Sequence, residues 1–235
     1  MGTSQSTSKS TGSHQLSYAL TFPMNRGKNL SCYYINLDKR TDRRQELESE
    51  LARMHITGVR FPAIVNKKGL IGCAQSHIAC VKKGLQLGAD HILVFEDDFY
   101  FIIEPDLMQR LLQNVMETNY DMFLLGYCVA DTTVNVRNTN NPLFKKIDEA
   151  LCAHGYLVSK EYAPKLLKNF EDGLKKLLKT DKDTSYAIDQ YWKLLQDDDM
   201  WLCYSGGPCG LQRGGYSDIE QKVKPGSITD IKTWR

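Results

Sequence analysis

A chain of 235 residues with 42% hydrophobic content is long enough to bury a substantial core and suits one large domain. Charged residues make up 25% and nearly cancel, at a formal +2, which excludes a field strong enough to make nucleic acid or an anionic surface the main partner. The seven cysteines are scattered, odd in number and without CxxC metal spacing, so they read as reduced core residues.

No apolar run approaches the roughly 20 residues of a spanning helix, and the N-terminus lacks the apolar stretch of a secretory signal. A cytoplasmic location follows as the expectation. Met1-Gly2-Thr3-Ser4-Gln5-Ser6 also fits the short N-myristoylation pattern. A flexible leader is the alternative for this Ser/Thr-rich stretch. One myristoyl chain would add only weak membrane association.

Residues 1–29 are therefore set aside as leader. The first strand signal is Leu30–Leu37, followed by a helix capped by Thr41 or Asp42 and running to about Met54. A short strand over 59–63 precedes a helix from about Gly72 to Gln86, ended by Gly88. The apolar run His91–Phe95 reads as a buried parallel strand that delivers Glu96, Asp97 and Asp98 at its carboxyl end. A helix over 106–118 and a strand over 121–125 come next. The Asn/Thr-rich segment between Val129 and Pro142 reads as a loop long enough to flap over a site. A strand over 152–158, helices over 160–178 and 185–195, and a last strand over 200–204 complete the alternation. Strands alternating with helices predict an α/β fold with a largely parallel sheet flanked by helices.

Three consecutive carboxylates leaving a buried strand repel one another and lose solvation, a problem that a divalent cation removes. Mg²⁺ or Mn²⁺ prefers such oxygens and needs few from protein when diphosphate completes its shell. Alternate residues point the same way, so Glu96 and Asp98 can face a ligand together while Asp97 turns aside. A solvated turn is the plainer alternative; the carboxyl edge of a parallel sheet favours a ligand. A departing nucleoside diphosphate also needs cationic partners, and Asp38-Lys39-Arg40-Thr41-Asp42-Arg43-Arg44 can present Arg40 or Arg43 to it. Any one of these arginines suits a solvated helix face equally well. Cys73 and His77 share a helix face; a packed or hydrogen-bonded histidine is preferred there over a metal pair.

The run Tyr34-Ile35-Asn36-Leu37-Asp38-Lys39-Arg40-Thr41-Asp42-Arg43-Arg44, then Gly72-Cys73-Ala74-Gln75-Ser76-His77, then Leu93-Val94-Phe95-Glu96-Asp97-Asp98, in this order, resembles glycosyltransferase family 25. That family includes lipooligosaccharide and collagen galactosyltransferases. Gly155-Tyr156-Leu157-Val158-Ser159, Ile188-Asp189-Gln190-Tyr191, and Gln212 followed by Ser217-Asp218-Ile219 extend the resemblance over about 30–219. It implies a single GT-A type domain over 30–220 with a tail over 221–235, a UDP-sugar donor, Mn²⁺ (or Mg²⁺), and transfer with inversion. Carried over by position, Glu96, Asp97 and Asp98 hold the metal and ribose contacts. Asn36, Leu37, Arg40 and Arg43 lie in the nucleotide-binding segment, with Ser76 and His77 beside them, and Gln212 to Ser217 closes the donor site from the other side. No histidine follows His154 to serve as a further metal ligand, so Asp218 or water is expected there.

Inversion needs a base for the acceptor hydroxyl, and Asp189 is the candidate, although a helix's first turn also favours an acid. Tyr191 and Trp192 offer an acceptor-stacking surface or belong to the core. The reading is thus an inverting hexosyltransferase moving galactose or glucose to a saccharide or hydroxylated peptide. The rivals are a catalytically silent relative that binds nucleotide-sugar or protein, and a metal-dependent phosphoester hydrolase.

Overall fold

The computed structural model describes residues 29–180, 184–219 and 221–225. The N-terminal lipidation pattern and residues 226–235 lie outside the described residues. An eight-stranded sheet runs through the protein in the order β2-β1-β3-β8-β5-β9-β7-β6. Its strands are β1 (Leu30–Asn36), β2 (Val59–Pro62), β3 (His91–Glu96), β5 (Met122–Cys128), β6 (Val136–Asn138), β7 (Phe144–Ile147), β8 (Leu151–Ser159) and β9 (Trp201–Tyr204), with β4 (Phe99–Phe101) outside it.

Alternation along β1 divides the core into two layers. Leu30, Cys32 and Tyr34 pack toward α1 (Thr41–Arg53) and α3 (Pro105–Glu117). Tyr33 and Ile35 pack toward α2 (Gly69–Gln86) and α5 (Ala163–Lys179). In α5 the buried Leu166, Phe170, Gly173 and Leu177 recur at helical spacing, while Lys176 and Lys179 occupy the last turn. Fully burying one such Leu or Phe contributes roughly 1.5–3 kcal/mol, which holds each helix on its face of the sheet.

Six of the eight main strands share one direction, whereas β8 runs antiparallel to both β3 and β5, and β7 antiparallel to β9 and β6. An apolar run reveals a strand but not its direction. Direction is set by the connection, and a parallel return needs a long crossover. After β5 the chain instead builds the four-residue α4 (Thr132–Asn135), β6 and β7. It re-enters the sheet beside the end of β5, where Cys128 faces Leu151. The segment expected to be a flap over the site is therefore a paired edge on the side of the sheet opposite β1 and β2.

Two further differences matter for the site. The helix expected over 185–195 is broken into a 3-10 turn (Thr184–Tyr186), α6 (Ile188–Tyr191) and α7 (Lys193–Gln196). Trp192 Nε1 and Gln196 Nε2 both donate to the Ala150 carbonyl, at 2.8 and 3.0 Å, which ties this segment to the start of β8. The chain also continues past residue 220: β11 (Gly215–Ser217) and β12 (Lys222–Lys224) form a hairpin, and β10 (Gly210–Gln212) pairs with β4.

Candidate active site

Register places the site. β1 and β3 are parallel with Ile35 opposite Glu96, so the chain leaves both strands at the same edge of the sheet, with Asn36 beside the acidic run. Asn36 Nδ2 donates to Asp97 at 2.8 Å and to the Arg40 carbonyl at 2.9 Å, fixing the turn into α1. From the first turns of that helix Arg43 Nη1 reaches Asp97 at 3.1 Å and Asp98 at 3.0 Å. Gln212 Nε2, on β10, donates to the same Asp98 oxygen at 3.1 Å, and the Arg213 amide donates to the Asp98 carbonyl at 2.7 Å.

One guanidinium thus serves two carboxylates. Burial pushes Asp98 up to about 7, the nearby Glu96 charge adds to this, and Arg43 opposes it. Asp97 is also raised by burial, against the pull of Asn36 and Arg43. Burial works against ionisation of Glu96 as well, but the His77 hydrogen bond and charge outweigh it and hold Glu96 below its ordinary value. Asp98 Oδ1 is buried without a hydrogen-bond partner among the described residues. An orphaned oxygen beside two further carboxylates is a place for a hard cation.

A cleft of about 520 Å³ opens above these groups. Its floor is the ends of β1 and β3, one wall is the chain from Ala63 to Lys67 with the start of α2, and the other is the β11–β12 hairpin. The hairpin is held by charge: Asp218 takes Lys39 at 2.5 Å and Arg40 at 2.9 Å, while Arg43 Nη2 donates to the Tyr216 carbonyl at 2.9 Å. Contact with α2 is close, since a Cβ added to Gly69 would meet Ile219 Cα at 2.6 Å. A second cavity of about 200 Å³ adjoins the first through Glu96, Asp98 and Gln212 and is also lined by His154 and Asp189.

Of the residues singled out in the sequence, Leu37, Arg43, Ser76, His77, Glu96, Asp97, Asp98, Gln212, Ser217 and Asp218 line the large cleft. Asn36 and Arg40 do not; Asn36 is buried at the end of β1, and Arg40 is turned to Asp42 and Asp218. Ser76 accepts from the Ile64 amide at 2.8 Å and donates to the Gly72 carbonyl at 2.7 Å, so it pins the 63–67 wall. Both Asp218 oxygens are engaged by Lys39 and Arg40, which makes Asp218 a latch for the hairpin in this conformation, not a ligand standing ready for a cation.

Asp189 lies in the smaller cavity, where its carboxylate accepts from the Cys152 amide at 3.2 Å. Burial raises it, the Cys152 amide pulls it down, and the Glu96 charge raises it again. Trp192 is fully buried and packs edge-on against Trp201, so it belongs to the core. Tyr191 packs under Lys176 and beside Tyr186, toward α5, and lines neither cavity.

Sequence reasoning passed over the 63–67 wall and His154. No motif marks the wall, which becomes visible only when Ser76 folds it over the cleft. His154 is 1% exposed, and burial pulls it down to about 4. Its signal was weak because a lone histidine inside an apolar strand is usually a packed one.

An open α/β sheet that gathers carboxylates and arginines beyond the carboxyl ends of its parallel strands defines an α/β protein with a ligand-binding cleft. The family is then fixed by sequence. The profile of glycosyltransferase family 25 (LPS biosynthesis protein) matches residues 67–192, more than half of the chain, and this protein belongs to that family. Comparison with curated proteins gives no match. Among solved structures the chain is similar to A197 from STIV, at 12% identity and a TM-score of 0.45 over 85% of this chain and 95% of that one. It is also similar to mannose-1-phosphate geranyltransferase from Thermus thermophilus, at 10% identity and a TM-score of 0.38 over 73% of this chain and 58% of that one. The glycosyltransferase GlyE of Streptococcus pneumoniae is similar at 11% identity and a TM-score of 0.39, over 77% of this chain and 38% of that one.

Proposed function

We propose that this glycosyltransferase is an inverting, Mn²⁺-dependent enzyme of GT-A type that moves a hexose, galactose or glucose, from a UDP-sugar to a saccharide or hydroxylated peptide. The observation that carries the reading is the pairing of two cavities across Glu96 and Asp98, one large enough for a nucleotide and one holding an isolated carboxylate. The donor set fits a hard divalent cation, since Glu96 and Asp98 face both cavities and Asp98 Oδ1 lacks a partner among the described residues. Such a cation, when bound, neutralises the diphosphate of the departing nucleotide.

The chain's own residues do the rest. The large cleft receives the nucleotide against Leu37 and the 63–67 wall, with Lys39 and Arg43 supplying positive charge near the diphosphate. Asp97 is held by Asn36 and Arg43 and keeps the acidic turn in place. In the smaller cavity, Asp189 accepts the proton of the acceptor hydroxyl as that oxygen attacks the anomeric carbon opposite the leaving diphosphate. Its raised affinity for a proton suits that role.

Two variants test the assignment. Asp98→Ala should abolish metal-dependent binding of UDP-sugar, and an unchanged affinity in Mn²⁺ would sink its assigned role. Asp189→Asn should leave donor binding intact while lowering turnover by at least about a hundredfold, the scale of a lost general base. Persisting turnover would move the base elsewhere.

A further inference from the structure

Cys73 and His77 stand one helical turn apart on α2 and meet Glu96 from the end of β3. His77 Nε2 is 3.2 Å from Glu96 Oε1, and Cys73 Sγ is 3.8 Å from the same oxygen. The three ligand atoms all lie within 4.8 Å of one another. At ordinary zinc bond lengths, the edges of a tetrahedron are about 3.4 Å between nitrogen and oxygen and about 3.6 Å between sulfur and oxygen. The two separations to Glu96 Oε1 lie within about 0.2 Å of those edges. Hydrogen bonding alone does not call for a thiol here, because His77 already satisfies that oxygen.

We infer that Cys73, His77 and Glu96 form a binding site for a thiophilic divalent cation, Zn²⁺ above all, which shares Glu96 with the hard-cation position at Asp98 and differs from it in its sulfur and imidazole ligands. Three features support it. Sulfur, imidazole and carboxylate in one triad select Zn²⁺ over Mn²⁺ or Mg²⁺. His77 Nδ1 lies 3.0 Å from the Tyr156 hydroxyl, which fixes the ring with Nε2 toward Glu96; with a metal on Nε2, Nδ1–H donates a hydrogen bond to that hydroxyl oxygen. All three residues line the large cleft, so a cation has a path in, and water can complete the fourth position. Binding releases the Cys73 thiol proton to solvent and forms a sulfur–metal bond, with no change of oxidation state. Glu96 is common to this site and to the proposed Mn²⁺ position, so a soft cation held here draws that carboxylate away from the hard one.

The experiment is a titration of Co²⁺, a spectroscopic stand-in for Zn²⁺, into the full chain under reducing conditions without nucleotide or acceptor. Failure of the transferase reading therefore leaves the result untouched. The expected result is one equivalent bound with a thiolate-to-metal charge-transfer band in the near ultraviolet, which one equivalent of Zn²⁺ abolishes. Cys73→Ser should remove the band, and Tyr156→Phe, which keeps the ring, should weaken binding by at least about tenfold. Cys128→Ser should retain the band. A wild-type protein without the band, or a band that survives Cys73→Ser, overturns the assignment.

Discussion

Asp98 concentrates the electrostatic problem of this site. The folded protein holds it at about 7, against an ordinary 3.8. Between those values the native state keeps a proton that the unfolded chain has released, so this group makes stability fall as pH rises through that window. Asp97 and Asp189, also raised by burial, act with the same sign. His154, pulled down to about 4 by burial, acts with the opposite sign over part of this window, so the Asp98 contribution is read by difference: in urea unfolding of the metal-free protein, the slope of stability between roughly pH 4 and 7 should be more positive in Asp98→Asn than in the wild type. An identical slope in the variant would contradict the assignment. Arg43 is the counterpart: its side chain is mostly buried and is the cation paired with both Asp97 and Asp98. Arg43→Ala strands those carboxylates where they are ionised, and above the Asp98 titration, at about pH 8, a loss of about 3 kcal/mol in chemical denaturation is expected. A loss below about 1 kcal/mol would mean that the carboxylates are neutral in the absence of metal.

At the scale of elements, glycines bring the walls of the cleft together. A Cβ on Gly210 would meet Phe99 Cζ at 2.2 Å and the Tyr100 carbonyl at 2.5 Å, so Gly210→Ala must part β10 from β4 and with it Gln212 from Asp98. Thermal unfolding should register roughly 1–3 kcal/mol of destabilisation; a neutral substitution would show that β10 has room to shift. Gly69→Ala pushes against the backbone of Ile219, and the expected outcome is faster tryptic cleavage after Lys222 as the hairpin loosens. Unchanged cleavage would detach the hairpin from α2.

These same elements mark what the sequence could tell. The long periodic or apolar segments, β1, α1, α2, β3, α3, β5 and α5, were legible because periodicity and β-branched runs report directly on burial. The three-residue strands β4, β10, β11 and β12 were not, since so few residues carry no periodicity and their pairing is made by contacts distant in the chain. The direction of β8 was likewise hidden, being set by the excursion through β6 and β7. At the site, the order of motifs brought Glu96, Asp97, Asp98, Arg43 and Gln212 to one cleft. It could not show that Asn36, Arg40 and Asp218 spend their hydrogen bonds on the frame, because that depends on who their neighbours are in space.

At the scale of the molecule, the sheet sets the function's location. Parallel β1 and β3 deliver a polar turn and an acidic run at one edge, α1 brings a guanidinium to it, and the β11–β12 hairpin closes over it. Among the described residues no helix is long and apolar enough to cross a membrane. The central claim is that the cleft binds a nucleotide-sugar through metal. The most direct test is calorimetric titration of UDP, UDP-galactose, UDP-glucose and UDP-N-acetylglucosamine into the full chain, each with Mn²⁺ and with EDTA. Saturable binding in Mn²⁺ that disappears in EDTA, strongest for a UDP-hexose, is the predicted result. Absence of binding by every UDP compound in Mn²⁺, or binding indifferent to EDTA, would contradict it.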